Sequence, residues 1–422
     1  MSWLCIYGKR CNGGICLMGG CVAFANACKG KLKRLLCAAI AAAVASLFVL
    51  VPCRTVAAEP PAGDDGRGLA AELGLDCKGA ILMEAQTGTV LYEMNADDAL
   101  PPASVTKIMT LLLVMEAIER GSIGYDTVLE TSTHASSMGG SQIYLKEGEQ
   151  MTVEDLLKAV VISSANDAAV VLAEAVAGSE AAFVAAMNRR AAELGMRTAH
   201  FENTNGLDDT VERHLLSARD IGIMSRELMR HERILKYSST WMDSVRGGAF
   251  GLTNTNRLIR FYRGATGLKT GSTSKAGFCM SATAERDGMS LIAVIMAAPS
   301  RDARNSSAAA LLDYGFANYA VYEYPGGADD DIRLTGGNVE HVGTVAAGIS
   351  FVVKKGREAD VSVTRELPTT LAAPVKAGET VGKLTFTLDG EMLGECAITA
   401  SADADRITLS ELWRRLLRAF WC

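Results

Sequence analysis

Ser104 and Lys107 stand three positions apart in Pro101-Pro102-Ala103-Ser104-Val105-Thr106-Lys107, at the head of an apolar run that includes Leu111, Leu112, Leu113, Val114, Ala117 and Ile118. On a helix, positions i and i+3 share a face. Burial takes water away from an ammonium and disfavours its charge. The positive end of the helix dipole acts in the same direction. A neutral lysine so placed can take the serine proton, which lets a serine act as nucleophile without a histidine partner. The spacing alone is weak. Ser-x-x-Lys should arise roughly once or twice by chance in a chain of this length, and a second copy, Ser272-Thr273-Ser274-Lys275, is present. Taken singly, Ser104 is equally well explained as a helix N-cap.

Two further clusters follow in order. Ser164-Ala165-Asn166 lies 60 residues after Ser104, between two helical patterns, where a short loop would expose a hydroxyl and an amide. Lys269-Thr270-Gly271 lies 165 residues after Ser104, within the strand-like run Thr266–Ser272. An edge strand bearing a cation, a hydroxyl and a glycine can bind a carboxylate while its backbone pairs with an extended peptide. Gly271 permits close approach of another backbone. Lys-Thr-Gly is expected only roughly 0.2 times by chance, so the ordered set carries more than any member.

The elements that must position these residues are readable in outline. Ala80–Glu84 and Thr89–Tyr92 flank Gln86-Thr87-Gly88 as a hairpin. A helical region then runs from about Ser104 to Glu232. Its helices are expected at Ser104–Arg120, Val153–Val161, Asp167–Val176 and Ala181–Leu194, with stops at Gly121, Gly178 and Gly195. Strands return at Thr266–Ser272, Gly277–Ala284 and Ser290–Met296, followed by an alanine-rich helix Ser306–Tyr319. This order predicts an antiparallel sheet covered by helices on both sides and joined to a helical lobe. From Ile332 to Ala400 the chain alternates and is rich in Val and Thr, which predicts a small β-sandwich-like domain acting as spacer or docking module.

Ser-x-x-Lys, Ser-x-Asn and Lys-Thr-Gly in this order form the signature set known for penicillin-binding proteins and class A β-lactamases. The chain resembles the low-molecular-mass penicillin-binding proteins that are D-alanyl-D-alanine carboxypeptidases, over roughly residues 78–400. Pro102–Thr110, Ser164-Ala165-Asn166-Asp167 and Gly267–Thr273 look like the three signatures, and Asn203-Thr204-Asn205-Gly206-Leu207 and Asn254-Thr255-Asn256 like further family segments. The resemblance implies an α+β fold: a β-lactamase/transpeptidase-like domain followed by a small all-β domain. It implies that Ser104 attacks the penultimate D-alanine carbonyl, with Lys107 as base and Ser164 passing a proton to the departing D-alanine. Asn166 would bind the substrate backbone, and Lys269, Thr270 and Gly271 would hold the terminal carboxylate. The backbone N–H groups of Ser104 and Ser272 would form the oxyanion hole. The implied partners are peptidoglycan stem peptides ending in D-Ala-D-Ala, with β-lactams as covalent inhibitors and no metal or organic cofactor.

Alternatives differ in one step each. A β-lactamase would need a carboxylate to activate water, and Glu202, 36 residues after Asn166, has a suggestive spacing. A penicillin-sensing or scaffold protein would keep the fold without turnover. An α/β-hydrolase would carry a G-x-S-x-G elbow, which the sequence lacks. Water, a crosslink or a second strand's amine would make the enzyme a carboxypeptidase, endopeptidase or transpeptidase.

The rest of the chain bears on address. Of its 422 residues 49% are hydrophobic and the net charge is −6 with no long basic block, so nucleic acid is not an expected partner. The five histidines (His134, His200, His214, His231, His341) are scattered without metal-ligand spacing. Seven of eleven cysteines precede residue 54; Cys77, Cys279, Cys396 and Cys422 follow, too widely spaced for a disulfide framework. Lys29, Lys31, Lys33 and Arg34, the apolar run Leu35–Val51 and Val56-Ala57-Ala58 read as a secretory signal, with cleavage after Ala58 favoured over an uncleaved membrane anchor. From Leu409, the apolar Leu412, Trp413, Leu416, Leu417 and Phe420 form a helical stripe with Arg414, Arg415 and Arg418 largely off it, the pattern of a helix lying in a membrane interface. The expected organisation is a leader at 1–58, a linker at 59–77, a catalytic domain at 78–324, a β-rich domain at 325–404 and a membrane-associating helix at 405–422. The expected location is the outer face of a bacterial cytoplasmic membrane.

Overall fold

A computed structural model describes residues 71–421 apart from Thr210. The expected leader and signal at 1–58, the first part of the 59–77 linker and Cys422 lie outside the described residues. The principal sheet contains β1 (Gly79–Glu84), β2 (Val90–Met94), β3 (Ala265–Thr273), β4 (Gly277–Arg286) and β5 (Met289–Ala298), in the order β2-β1-β5-β4-β3. Every neighbouring pair is antiparallel. The strand bearing Lys269-Thr270-Gly271 is therefore an edge strand, as its sequence predicts.

The strands read as continuous apolar runs because both faces of the sheet are covered. Ile81, Met83, Ile292, Val294 and Met296 enter one core, shared with α1 (Lys107–Glu119), α2 (Val153–Ile162), α3 (Asn166–Ala177), α4 (Glu180–Glu193) and α5 (Ala218–Met229). Their alternates Ala80, Leu82, Leu291, Ala293 and Ile295 enter a second core against α6 (Arg301–Asn318). The helix α1 is apolar almost all round because it is buried almost all round. Thr152, Ser179, Ser217 and Ser300 cap α2, α4, α5 and α6 by accepting from a backbone N–H three residues on.

Three boundaries move. Ser104 does not open α1; it sits in a 3-10 turn, Ala103–Thr106, and the α-helix begins at Lys107. The last helix of this domain begins at Arg301 rather than Ser306, because Ser300 is its cap. The chain also enters the β-rich domain earlier than residue 325. Tyr319–Tyr324 pairs with Ile349–Lys354. Its alternation serves two cores: Tyr319 and Val321 pack on the α6 side, Tyr322 and Tyr324 on the β-rich side.

The C-terminal domain is all-β, with a five-stranded sheet built on Thr380–Leu388 and Glu391–Ala400 and a three-stranded sheet built on Ile332–Thr335. Bridges Val375–Ala404 and Gly337–Arg406 carry it past residue 404. The final helix, α7 (Leu409–Trp421), has no buried residue.

Candidate active site

Ser104, Ser164, Thr270, Gly271 and Ser272 line one cleft of about 620 Å³ between the edge strand β3 and the helical lobe. Lys107 and Lys269 are 0% and 1% exposed. The structure thus gathers residues separated by 168 positions into one site.

The 3-10 turn brings the Lys107 amine back onto the serine. Lys107 Nζ lies 2.9 Å from Ser104 Oγ, 2.6 Å from Asn166 Oδ1 and 2.9 Å from the Asn205 carbonyl oxygen. A neutral amine has two N–H donors and one lone pair. The two carbonyl-type oxygens can only accept, so they take both N–H groups and leave the lone pair for the Ser104 hydroxyl. Burial holds the Lys107 amine well below the usual lysine range, and the charge of Lys269 adds to this, while Asp167 opposes it. That disposition suits proton abstraction.

Ser164 has φ +61, a left-handed conformation rare for a residue with a Cβ. Lys269 Nζ donates to Ser164 Oγ at 2.8 Å and to the Thr270 carbonyl at 2.8 Å. Burial, helped by Arg304, pushes Lys269 down to about 7. Each lysine therefore serves one serine.

Asn166 is held by hydrogen bonds within the protein. It is buried at the first position of α3, its Oδ1 accepts from Lys107 and its Nδ2 donates to the Gly139 carbonyl at 2.6 Å. Both ends of the amide are committed inside the protein, so in this structure it holds Lys107 rather than facing the cleft. Neighbouring Asp167 accepts from the Ile143 and Leu145 amides and thereby fixes the loop that carries Ser141 into the cleft wall.

Gly271 answers a packing demand. A Cβ there would lie 2.7 Å from the Ser104 nitrogen and 2.9 Å from the Val105 nitrogen. The bare glycine keeps the nucleophile's amide open toward the cleft.

Three contributions were not singled out from sequence. The Asn205 carbonyl orients Lys107, although Asn203–Leu207 reads chiefly as a turn. Thr255 accepts from the Thr270 hydroxyl at 2.7 Å and lines the cleft. Arg304 lines it too; its buried guanidinium donates among the described residues only to Asn305 Oδ1, and burial with the nearby Arg301 lowers it to about 10. A signal for it existed: Arg301 and Arg304 occupy the first turn of α6, where the helix dipole disfavours cations. Glu202, in contrast, is turned to other use, since its Oε2 accepts from the Glu212 and Arg213 amides. It does not line the cleft, so the carboxylate that a β-lactamase reading requires is not supplied there.

The arrangement is a serine nucleophile with a buried amine base, a second lysine–serine pair, and buried cationic groups that suit a carboxylate. Comparison with known proteins agrees. The sequence profile of the D-alanyl-D-alanine carboxypeptidase family matches residues 68–300, and that of the penicillin-binding protein 5 C-terminal domain matches residues 329–406. The D-alanyl-D-alanine carboxypeptidase DacF of Bacillus subtilis (strain 168) is 39% identical over 85% of this chain and 94% of its own length. Penicillin-binding protein 5 from Haemophilus influenzae superposes with a TM-score of 0.70 at 28% identity, over 79% of this chain and 98% of that one. Penicillin-binding protein D2 from Listeria monocytogenes, in its ampicillin-bound form, matches with a TM-score of 0.53 at 32% identity, over 57% of this chain and 98% of that one. With this fold, this site and these matches, the chain belongs to the serine-type D-alanyl-D-alanine carboxypeptidase family of low-molecular-mass penicillin-binding proteins.

Proposed function

We propose that this enzyme removes the terminal D-alanine from peptidoglycan stem pentapeptides through an acyl-enzyme on Ser104. The observation that carries the reading is the buried Lys107 Nζ, 2.9 Å from Ser104 Oγ and held by Asn166 Oδ1 and the Asn205 carbonyl oxygen. Ser104 Oγ attacks the carbonyl of the penultimate D-alanine as its proton passes to Lys107 Nζ. The resulting oxyanion accepts from the N–H groups of Ser104 and Ser272, and one such donor is typically worth about 2.7–4 kcal/mol. Collapse breaks the peptide bond. The departing amine takes the hydroxyl proton of Ser164, which Lys269 holds in place, and Lys107 returns to Ser164 the proton it gained from Ser104; D-alanine leaves and Lys107 is neutral again. Water then attacks the ester, its proton passing to the neutral Lys107 and from there to Ser104 Oγ as the ester bond breaks, which restores both groups.

The terminal carboxylate is held by Lys269, Thr270 and Arg304. This explains restriction to the peptide end: a further residue in place of the carboxylate would leave buried cations unpaired. A β-lactam presents a comparable carboxylate beside an acylating carbonyl, and the Listeria relative in its ampicillin-bound form supports β-lactams as covalent inhibitors here.

The same proposal places the enzyme outside the cytoplasmic membrane. The basic, apolar and small-residue segments of 29–58 support export. The helix α7 supports peripheral attachment, with Phe420 and Trp421 85% and 88% exposed. At 1.5 Å per residue it is about 20 Å long, too short to span a bilayer and suited to lying in its surface.

The test is mass spectrometry of a muropeptide ending in D-Ala-D-Ala before and after incubation. Loss of one alanine, abolished in Ser104→Ala, is expected. Release that persists in Ser104→Ala would refute the assignment.

A further inference from the structure

Behind the nucleophile, on the side away from the cleft, the turn carrying Ser104 is strained. Ala103 has φ +49 and is buried. Left-handed backbone at a residue with a Cβ persists only where the surroundings over-determine it. Two contacts act on the Ala103 carbonyl. Thr106 Oγ1 donates to it at 2.8 Å. Gly206 presses on it so closely that a Cβ would lie 1.9 Å from its oxygen.

The Thr106 hydroxyl is in turn held by His214, whose Nε2 lies 2.8 Å away. The proton positions follow from the partners. The Glu202 N–H donates to His214 Nδ1 at 3.1 Å, so Nδ1 is an acceptor and the ring proton is on Nε2. Thr106 commits its one proton to Ala103 and therefore accepts from Nε2–H. The relay has one direction: Glu202 N–H to His214, His214 to Thr106, Thr106 to the Ala103 carbonyl. Its far end is fixed, because the Glu202 side chain is pinned by the Glu212 and Arg213 amides. The ring is buried and stands edge-on to Phe201, with centroids 5.7 Å apart. Both ring nitrogens are used, which simple packing does not require.

We propose that His214 is a positioning residue: as the neutral Nε2–H tautomer it orients the Thr106 hydroxyl, which holds the strained Ala103 turn and so keeps Ser104 Oγ aligned on Lys107. The proposal rests on the reading of Ser104 as nucleophile. His214 touches no substrate and takes no proton from it. Its effect belongs to the alignment of attack rather than to substrate affinity. Reacting groups displaced by an ångström typically lose on the order of 100-fold in rate.

The experiment compares Thr106→Val, Thr106→Ser, His214→Phe and the double variant Thr106→Val/His214→Phe in the full chain. It measures the acylation rate constant with a chromogenic β-lactam, kcat and KM for a D-Ala-D-Ala pentapeptide, and thermal melting. Thr106→Val and His214→Phe should slow acylation and kcat by roughly 10- to 100-fold while changing KM by less than about threefold. The double variant should be no slower than the slower single variant, because both act through one relay. Thr106→Ser should restore most of the rate, since it keeps the hydroxyl. Should His214→Phe not fold, the two Thr106 variants decide alone. A folded Thr106→Val that acylates within about twofold of wild type, or a Thr106→Ser as slow as Thr106→Val, overturns the proposal. A wild-type adduct on a serine other than Ser104 would instead overturn the reading on which it rests.

Discussion

At the scale of single residues, the site depends on two buried amines in opposite charge states. Lys107 must be neutral to take a proton, whereas Lys269 must be charged to attract a carboxylate. The first is held well below the ordinary lysine range by burial and by Lys269, and the second is lowered to about 7. The pH profile of kcat/KM, which reports the free enzyme, should rise as Lys107 loses its proton and fall from about pH 7 upward as Lys269 loses its own. Lys269→Arg should move the alkaline limb out of the accessible range; an unmoved limb would detach it from Lys269. His214 titrates in stability instead. Burial lowers it from its ordinary 6.5 to about 4, with His200 adding to the shift and Glu202 and Asp208 opposing it. Between those values the unfolded chain binds the proton and the folded one does not. Stability therefore falls as pH drops through that window, by about 1.4 kcal/mol per unit. Urea denaturation at several pH values should show this slope in wild type and a shallower one in His214→Phe. Equal slopes would show that His214 is not the group responsible.

At the scale of elements, much of the fold was legible and the nucleophile turn was not. The sheet strands and the helical lobe follow from short apolar runs, apolar periodicity and glycine stops. The three motifs lie far apart in the sequence, and the structure brings Ser104, Lys107, Ser164, Asn166, Lys269, Thr270, Gly271 and Ser272 together. What local pattern could not reveal is set by residues about 100 positions away: the Asn205 carbonyl on Lys107, and Gly206 against Ala103. They pack against the 3-10 turn that precedes the helix and against the Lys107 amine. The long-range dependence makes Gly206 a sharp test. Gly206→Ala would pay about 1–2 kcal/mol for its left-handed backbone, at φ +82, and would drive a methyl into the Ala103 carbonyl. Acylation should fall more than in Gly121→Ala, where the backbone is equally left-handed at φ +72 and the space around it is open. Equal acylation rates in the two folded variants would contradict the role given to this contact.

At the scale of the molecule, the catalytic and β-rich parts share the strand Tyr319–Tyr324, one face of which belongs to each core. The final helix is different. It buries no residue and is tied back by a hydrogen bond from Arg415 to the Asn338 carbonyl. Removing residues 408–422 should leave the melting temperature and D-alanine release from a soluble pentapeptide nearly unchanged, while abolishing sedimentation with anionic phospholipid vesicles. A truncated enzyme that still sediments would exclude this helix as the attachment. The most direct test of the whole account is the intact mass of the protein after brief exposure to benzylpenicillin, followed by peptide mapping. The account predicts one persistent adduct, on the peptide containing Ser104, absent from Ser104→Ala and formed far more slowly in Lys107→Ala. An adduct on Ser164 or Ser272, or one hydrolysed within seconds as in a β-lactamase, would contradict it.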